Sequence, residues 1–405
     1  MTLIYLDYAA TTPLDPRVKK AMQPYWSEDF GNPSSLHDLG RRAKKAINEA
    51  RSKIAATLHC RSEEIVFTGG GTEAINLAIL GAARYQAKLG TKGTKLSLVP
   101  DSRGHLITTK IEHHAVLRSM EELEQEGYEV TYIEVSKGGL VNPKNIAQAL
   151  RPDTILVSVM YANNEIGTVQ PIADIGKIIK THRSHQPDKS YPLFFTDACQ
   201  AAGYLDLNVE KSGVDMLAIN GSKIYGPKGV GALYVRKGVK LEPLIYGGGQ
   251  ERGFRSGTEN VPAIVGLAKA LEIAEKEKRQ GTSRLGKLRD YFIKKVLDEI
   301  PEAELNGDPE KRLPNNVNIS IPGLEGEVAV VYLDERGVAC STGAACSSVE
   351  VEPSHVILAL GKSREHALGS LRFTLGRHTK KQDIDYAVAA LIKTISILCG
   401  RRRKK

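Results

Sequence analysis

The chain has 405 residues, 41% of them hydrophobic and 25% charged, a globular composition that excludes collagen-like, disordered and repeat architectures. Its formal charge of +9 includes five units from Arg401, Arg402, Arg403, Lys404 and Lys405, so the body is only mildly basic. The tail then reads as a solvated end rather than a nucleic-acid arm, and neither a membrane nor direct nucleic acid is expected as a partner.

In chain order, the opening "MTLIYLDYAATTPLDP" has no basic n-region, and Asp7 cuts its apolar stretch short, so no signal peptide is expected. From residue 65 to 235 seven short apolar or β-branched runs follow: "EIVFT", "HLITTKIEH", "EVTYIEV", "TILVSVMYA", "LFFTDA", "MLAIN" and "GALYV". Amphipathic stretches such as "GTEAINLAILGAARYQAK" and "IADIGKIIKTH" lie between them, and strand-helix alternation predicts a mostly parallel sheet covered on both faces. Residues 88 to 105 and 183 to 190 read as polar surface loops. Beyond "GGGQERGFRSGTENV" the texture changes. One charged helix is expected from about Pro262 to Glu277 and another through "SRLGKLRDYFIKKVLDEI", followed by strand-like "NNVNISI" and "EVAVVYLDERGVAC". A chain of this length exceeds one ordinary core, so two domains are expected, the second from about residue 262.

Chemistry concentrates in a few segments. In "TGGGTEAIN" three glycines precede Thr72 and Glu73 at a helix start, where unpaired N–H groups favour an anion; the same pattern also suits a plain helix cap. Without Gly-Lys-Ser/Thr it is no P-loop. Asp197 ends the apolar run "FFTD", and a carboxylate there needs a cationic partner such as a protonated pyridinium nitrogen, unless it only caps a helix. Lys223 follows the next run, with Asn220, Gly221 and Ser222 leaving room around its amine. Lys228, after Gly226-Pro227, reads as a turn residue. A lysine at a strand end, beside an aspartate and an anion cradle, suits a Schiff base to pyridoxal 5'-phosphate.

Five scattered cysteines (Cys60, Cys199, Cys340, Cys346, Cys399) without a C-x-x-C pair argue against disulfides and a metal site, and point to a reducing, cytoplasmic setting. Residues 341 to 348 are rich in Gly, Ser, Thr and Ala, the composition of an exposed loop presenting Cys346. Cys340, at a strand end, reads as buried and inert.

Taken together, "YLDYAATTP", "GNPSSLH", "TGGGTEAIN", "IEHHAV", "ANNEIGTVQPI", "TDACQAAG", "SKIYGPKGVGALYV", "GGGQERGFRSGTENV", "STGAACSS" and "LRFTLGRHT" resemble the cysteine desulfurases of the NifS/IscS type, in order from residue 4 to about 395. The resemblance implies an α/β fold, that of fold type I PLP-dependent transferases. A large domain (15–261) would carry a mostly parallel seven-stranded sheet. A smaller α+β C-terminal domain (262–405, with 1–14 packed on it) would carry the catalytic cysteine loop.

It further implies catalytic Lys223, Cys346 and His113. Lys223 would form the Schiff base and shuttle the substrate's α-proton. His113 would stack on the cofactor ring and act as acid or base, with His114 pointing away. Asp197 would pair with the ring nitrogen and Gln200 would bond the phenolic oxygen. Thr72, Ser222 and Asn220 would hold the phosphate, Glu73 would be a further cofactor-binding residue, and Thr258 would reach the phosphate of a neighbouring subunit in a homodimer. Arg372 would clamp the substrate carboxylate, assisted by Asn164, with Arg377 as the nearby alternative. The thiolate of Cys346 would take sulfur from L-cysteine as a persulfide, releasing L-alanine. The sulfur would pass to an acceptor protein of iron-sulfur cluster assembly or tRNA thiolation. Similar enzymes carry a histidine before the Schiff-base lysine; here the residue is Ser222.

Overall fold

The computed structural model describes residues 3–90, 103–186, 188–343 and 352–402. A short β1 (Ile4–Tyr5) opens the chain. The seven expected runs all form strands: β2 (Ile65–Thr68), β3 (His105–Thr109), β4 (Glu129–Ile133), β5 (Thr154–Ser158), β6 (Leu193–Asp197), β7 (Met216–Asn220) and β8 (Gly231–Val235). Among the described residues they make one sheet in the order β2-β8-β7-β6-β5-β3-β4, parallel except for β8, which is antiparallel to both neighbours. Every residue of β5, β6 and β8 is buried, as a sheet covered on both faces requires.

Alternation sends neighbouring side chains to opposite layers. Phe194 joins the layer holding Ile47 and Ile54 of the helix Asp38–Leu58, while Phe195 joins the layer of Ile75 and Leu77 from the helix Gly71–Gly90. Each is fully buried, worth about 2–3 kcal/mol of transfer free energy.

The second half departs from expectation in two places. The two charged helices are one, Val261–Glu299, 39 residues long, capped by Asn260, whose side chain accepts the Ala263 N–H at 3.2 Å. Gly281 in its middle costs about 1 kcal/mol against alanine but breaks no hydrogen bond, and packing at both ends carries the helix through. The residues up to Ala274 pack in the main core. Leu285, Phe292 and Val296 pack in a separate core with Val317, Phe373 and Leu391, so the change of core falls inside the helix.

The second departure is "EVAVVYLDERGVAC". Instead of one strand it forms the helix Gly326–Asp334 followed by a two-residue strand. Ala329 and Leu333, four apart, are buried, while Val328 and Val331 are exposed, a helical period that β-branched residues disguise. The remaining strands are β9 (Glu304–Leu305), β10 (Asn316–Ser320), β11 (Val338–Ala339) and β12 (Ser370–Thr374). They pair antiparallel as β12-β10-β9, while β11 runs parallel to β1, so the first residues of the chain pack with the last third. The segment that follows the carboxyl end of β5 meets this smaller core, Asn316 and Asn318 of β10 both donating to Glu165 O, on the side where open α/β sheets place their sites.

Candidate active site

The glycine cradle leaves β2 and enters the helix Gly71–Gly90. A Cβ on Gly71 would lie 2.8 Å from Cys199 Sγ, so only glycine allows this approach. Thr72, Asn76, Asn220 and Ser222 line the cleft in front of it. Asn220 Oδ1 accepts from both the backbone N–H and the hydroxyl of Ser222, each at 3.3 Å. Glu73, expected among the cofactor contacts, is spent otherwise: Oε2 accepts the Gly69 N–H at 2.9 Å and Oε1 pairs with Arg255 Nε at 3.0 Å. It braces the loop, and an anion has no donor to offer a phosphate. Lys228, read as a turn residue, lines this same cleft. Thr258 does not line it and is exposed.

Asp197 ends β6, is 7% exposed, and accepts the Cys199 N–H at 2.9 Å. It forms no ion pair among the described residues, so a buried acid here suits a cationic ring nitrogen that the protein itself does not supply. Lys223 stands one strand over, on the 3-10 turn Gly221–Lys223, with Nζ donating to Ala10 O at 2.5 Å. Burial pulls its pKa below the ordinary amine value.

The turn is held from outside the sheet. Thr12 Oγ1 donates to Ser222 O at 2.9 Å and accepts the Tyr225 N–H at 2.7 Å, and Tyr225 sits at φ 62°. A bulky residue in the left-handed region is strained and persists only where its surroundings impose it.

His113 caps the helix His114–Gln125, its Nδ1 accepting the Ala115 N–H at 3.0 Å. That bond leaves the ring proton on Nε2, and burial keeps the imidazole neutral by lowering its pKa. His114 does not point away as expected. It lines the cleft with His113, its ring 4.8 Å from that of His355. Gln200 Nε2 donates to Ala9 O at 3.0 Å.

Packing treats the two candidate arginines differently. Arg372 on β12, 7% exposed, lines the cleft with Asn164. Its Nη2 donates to Asp7 Oδ1 at 2.9 Å and its Nη1 to Asn164 O at 3.2 Å, and its Nε is buried without a partner among the described residues. Arg377 is used up elsewhere, on Asp15 at 2.7 Å, Glu277 at 3.3 Å and the face of Tyr225 at 4.2 Å.

Cys340 is buried, and burial pushes its thiol up to about 12. Cys346 lies outside the described residues. Described residues on either side of it, Gly343 and Ser354, meet at one carboxyl: Ser354 Oγ donates to Glu165 Oε2 at 2.5 Å, and a Cβ on Gly343 would fall 2.2 Å from the same oxygen. Sequence reading missed Glu165, and also Glu112 and Asp7. Burial raises Glu165 to about 7 and Glu112 to about 8. An acid beside a single isoleucine, in "NNEIG" and "KIEHHAV", was the only signal available.

The class-V aminotransferase family model matches residues 4–387. A protein named cysteine desulfurase IscS from Dictyoglomus turgidum is 50% identical, covering 98% of this chain and 95% of the relative. Another of that name from Methanosarcina thermophila is 47% identical, covering 94% and 89%. Among solved structures, a NifS-like protein superposes with a TM-score of 0.87 at 35% identity, covering 98% of this chain and 100% of the other. A structure described as SspA in complex with cysteine gives 0.77 at 37%, covering 92% and 98%.

Proposed function

The chain belongs to the class-V aminotransferase family and is a cysteine desulfurase, and on that premise we propose which of its residues perform the reaction. Pyridoxal 5'-phosphate would be held by Asp197 at the ring nitrogen, His113 on the ring face and Gln200 at the phenolic oxygen. Thr72, Asn220, Ser222 and the amides of the glycine cradle would hold the phosphate, with Lys223 as the attachment residue. When bound, this cofactor supplies an electron sink that permits cleavage of bonds at Cα and Cβ of an amino acid.

Every other part of the reaction falls to the chain. Arg372 binds the carboxylate of L-cysteine with Asn164 beside it, its unpartnered Nε–H offering one donor of the fork. Lys223, with its pKa lowered by burial, is able to hold and release a proton at Nζ. His113 presents Nε2–H to the same space. The Cys346 thiolate attacks the substrate sulfur: an S–S bond forms, the Cβ–S bond breaks, and the carbon side is protonated to L-alanine. The persulfide sulfur then passes to an acceptor protein of iron-sulfur cluster assembly or tRNA thiolation.

The observation that carries this reading is that Cys199, Arg372 and Asp197 all act electrostatically on the Lys223 amine, that the glycine cradle closes on Cys199 at Gly71, and that Arg372 is left one hydrogen bond short. A homodimer with Thr258 serving the neighbouring site is part of the proposal. Exposed Trp26, Phe30, Leu36 and Tyr246, and Ile245 at the mouth of the cradle cleft, support it as surface a second subunit would cover. Two domains, the second counted from residue 262 with its own core taking over within the helix Val261–Glu299, and a cytoplasmic location, complete it. No helix among the described residues is long and apolar enough to cross a membrane.

The test is L-alanine released from L-cysteine with a thiol reductant, wild type beside Cys346→Ala. Alanine from the wild type alone is expected. Alanine from both would remove Cys346 from its role, and alanine from neither, in yellow protein, would refute the site assignment.

A further inference from the structure

A phosphate monoester carries a charge of about −1.5 to −2 near neutral pH and needs positive charge as well as hydrogen-bond donors. The donors lining the cradle cleft (Thr72, Asn76, Asn220, Ser222 and backbone N–H groups) are all neutral. The one acid there, Glu73, is already matched by Arg255. Lys228 is the only cationic side chain lining the cleft among the described residues, and among them it has no side-chain hydrogen bond or ion pair.

Its backbone is not a loose turn. The Gly226 N–H donates to Gly221 O at 2.9 Å and the Gly221 N–H donates to Val230 O at 3.1 Å, so both flanks of Lys228 are tied to the turn that carries Lys223. A Cβ on Gly226 would lie 2.8 Å from Gly221 O, and one on Gly231 would lie 2.7 Å from the Gly70 carbonyl carbon. Residues 226 to 231 are therefore wedged between the lysine turn and the glycine cradle, with an exposed, unpaired ammonium at the mouth.

We propose that Lys228 is a phosphate-binding residue supplying the positive charge of the cofactor site, a step that rests on the cofactor reading above. Ser222, the residue before the attachment lysine, brings a hydroxyl and no charge, which leaves Lys228 to balance the phosphate.

The test titrates cofactor-free protein with pyridoxal 5'-phosphate and, separately, with pyridoxal, which lacks the phosphate. Binding is read by absorbance and by intrinsic fluorescence. Lys228→Met is expected to weaken pyridoxal 5'-phosphate about 5- to 20-fold, the range for one partly solvated charge-assisted contact, while leaving pyridoxal within about twofold. Lys228→Arg is expected to recover most of the loss, and raised salt should narrow the gap between wild type and Lys228→Met. Equal affinity of wild type and Lys228→Met for the phosphorylated ligand would overturn the proposal. So would an equal loss for both ligands, which would mark a structural effect. A wild type that binds neither ligand refutes the cofactor reading itself, and Lys228 falls with it.

Discussion

Glu112→Gln tests whether a neutral acid is built in behind the candidate active site. The carboxyl is fully buried; Oε1 accepts from Thr109 Oγ1 at 2.7 Å and from Met160 N at 2.9 Å, tying the ends of β3 and β5 together, and Oε2 has no partner among the described residues. Burial, added to by the nearby Asp197, lifts it from its ordinary 4.5 to about 8, which separates its two charge states by about 5 kcal/mol. The folded state then binds more protons than the unfolded state between those values. Its contribution to stability is complete below about pH 4.5 and is lost as pH rises through about 8, at up to about 1.4 kcal/mol per pH unit.

Glutamine keeps Oε1 as acceptor and removes the titration. A buried amide N–H2 without an acceptor costs about 1–3 kcal/mol, but equally at every pH. The measurement is the urea midpoint of wild type and Glu112→Gln at pH 5, 6.5, 8 and 9. The stability of the variant relative to wild type should climb by several kcal/mol from pH 5 to pH 9, whatever its absolute level. Parallel curves would refute the reasoning, because they would mean that Glu112 is ionised in the folded protein at neutral pH.

Arg372→Lys keeps the charge and loses the planar fork, so the KM for L-cysteine should rise about 10- to 100-fold, whereas Arg377→Gln should lower the melting temperature and leave KM within about threefold. Steady-state kinetics beside thermal melts separates them. Gly343→Ala puts a Cβ 2.2 Å from Glu165 Oε2 and should slow single-turnover alanine formation at least about tenfold, with the cofactor spectrum and L-alanine binding unchanged. Loss of both together would show that the glycine serves the fold and not the sulfur step. Ser222→Ala removes one neutral hydroxyl and should weaken cofactor retention about fivefold on dialysis without abolishing attachment to Lys223; unchanged occupancy would count against that role.

How much of this was legible in the linear chain depends on range. Short apolar runs announced all seven strands of the main sheet, because a strand buried on both faces has few ways of being written. Motif order likewise indicated Lys223, Asp197 and the glycine cradle, each a local pattern at a strand end. Where two secondary structures bury similar residues, local pattern failed. "EVAVVYLDERGVAC" reads as a strand by propensity, but burial of Ala329 and Leu333 on one face makes most of it a helix; residues 278 to 282 fell between the two expected helices, and packing of both ends against two cores made the helix continuous.

The division between Arg372 and Arg377 shows what only tertiary structure decides. Five residues apart, they have the same chemistry, and apart from the family resemblance no local pattern ranks them. One faces a cleft because β12 runs beside β10 and brings it to Asp7 and Asn164, more than two hundred residues distant; the other is consumed by Asp15, Glu277 and Tyr225. The same holds for Glu165 meeting Gly343 and Ser354, and for Lys228 meeting the glycine cradle. Residue type and local spacing determine which groups are able to do chemistry. Which of them meet, stay dry and remain unpaired is set by contacts between distant segments, and those follow from the packing of whole layers.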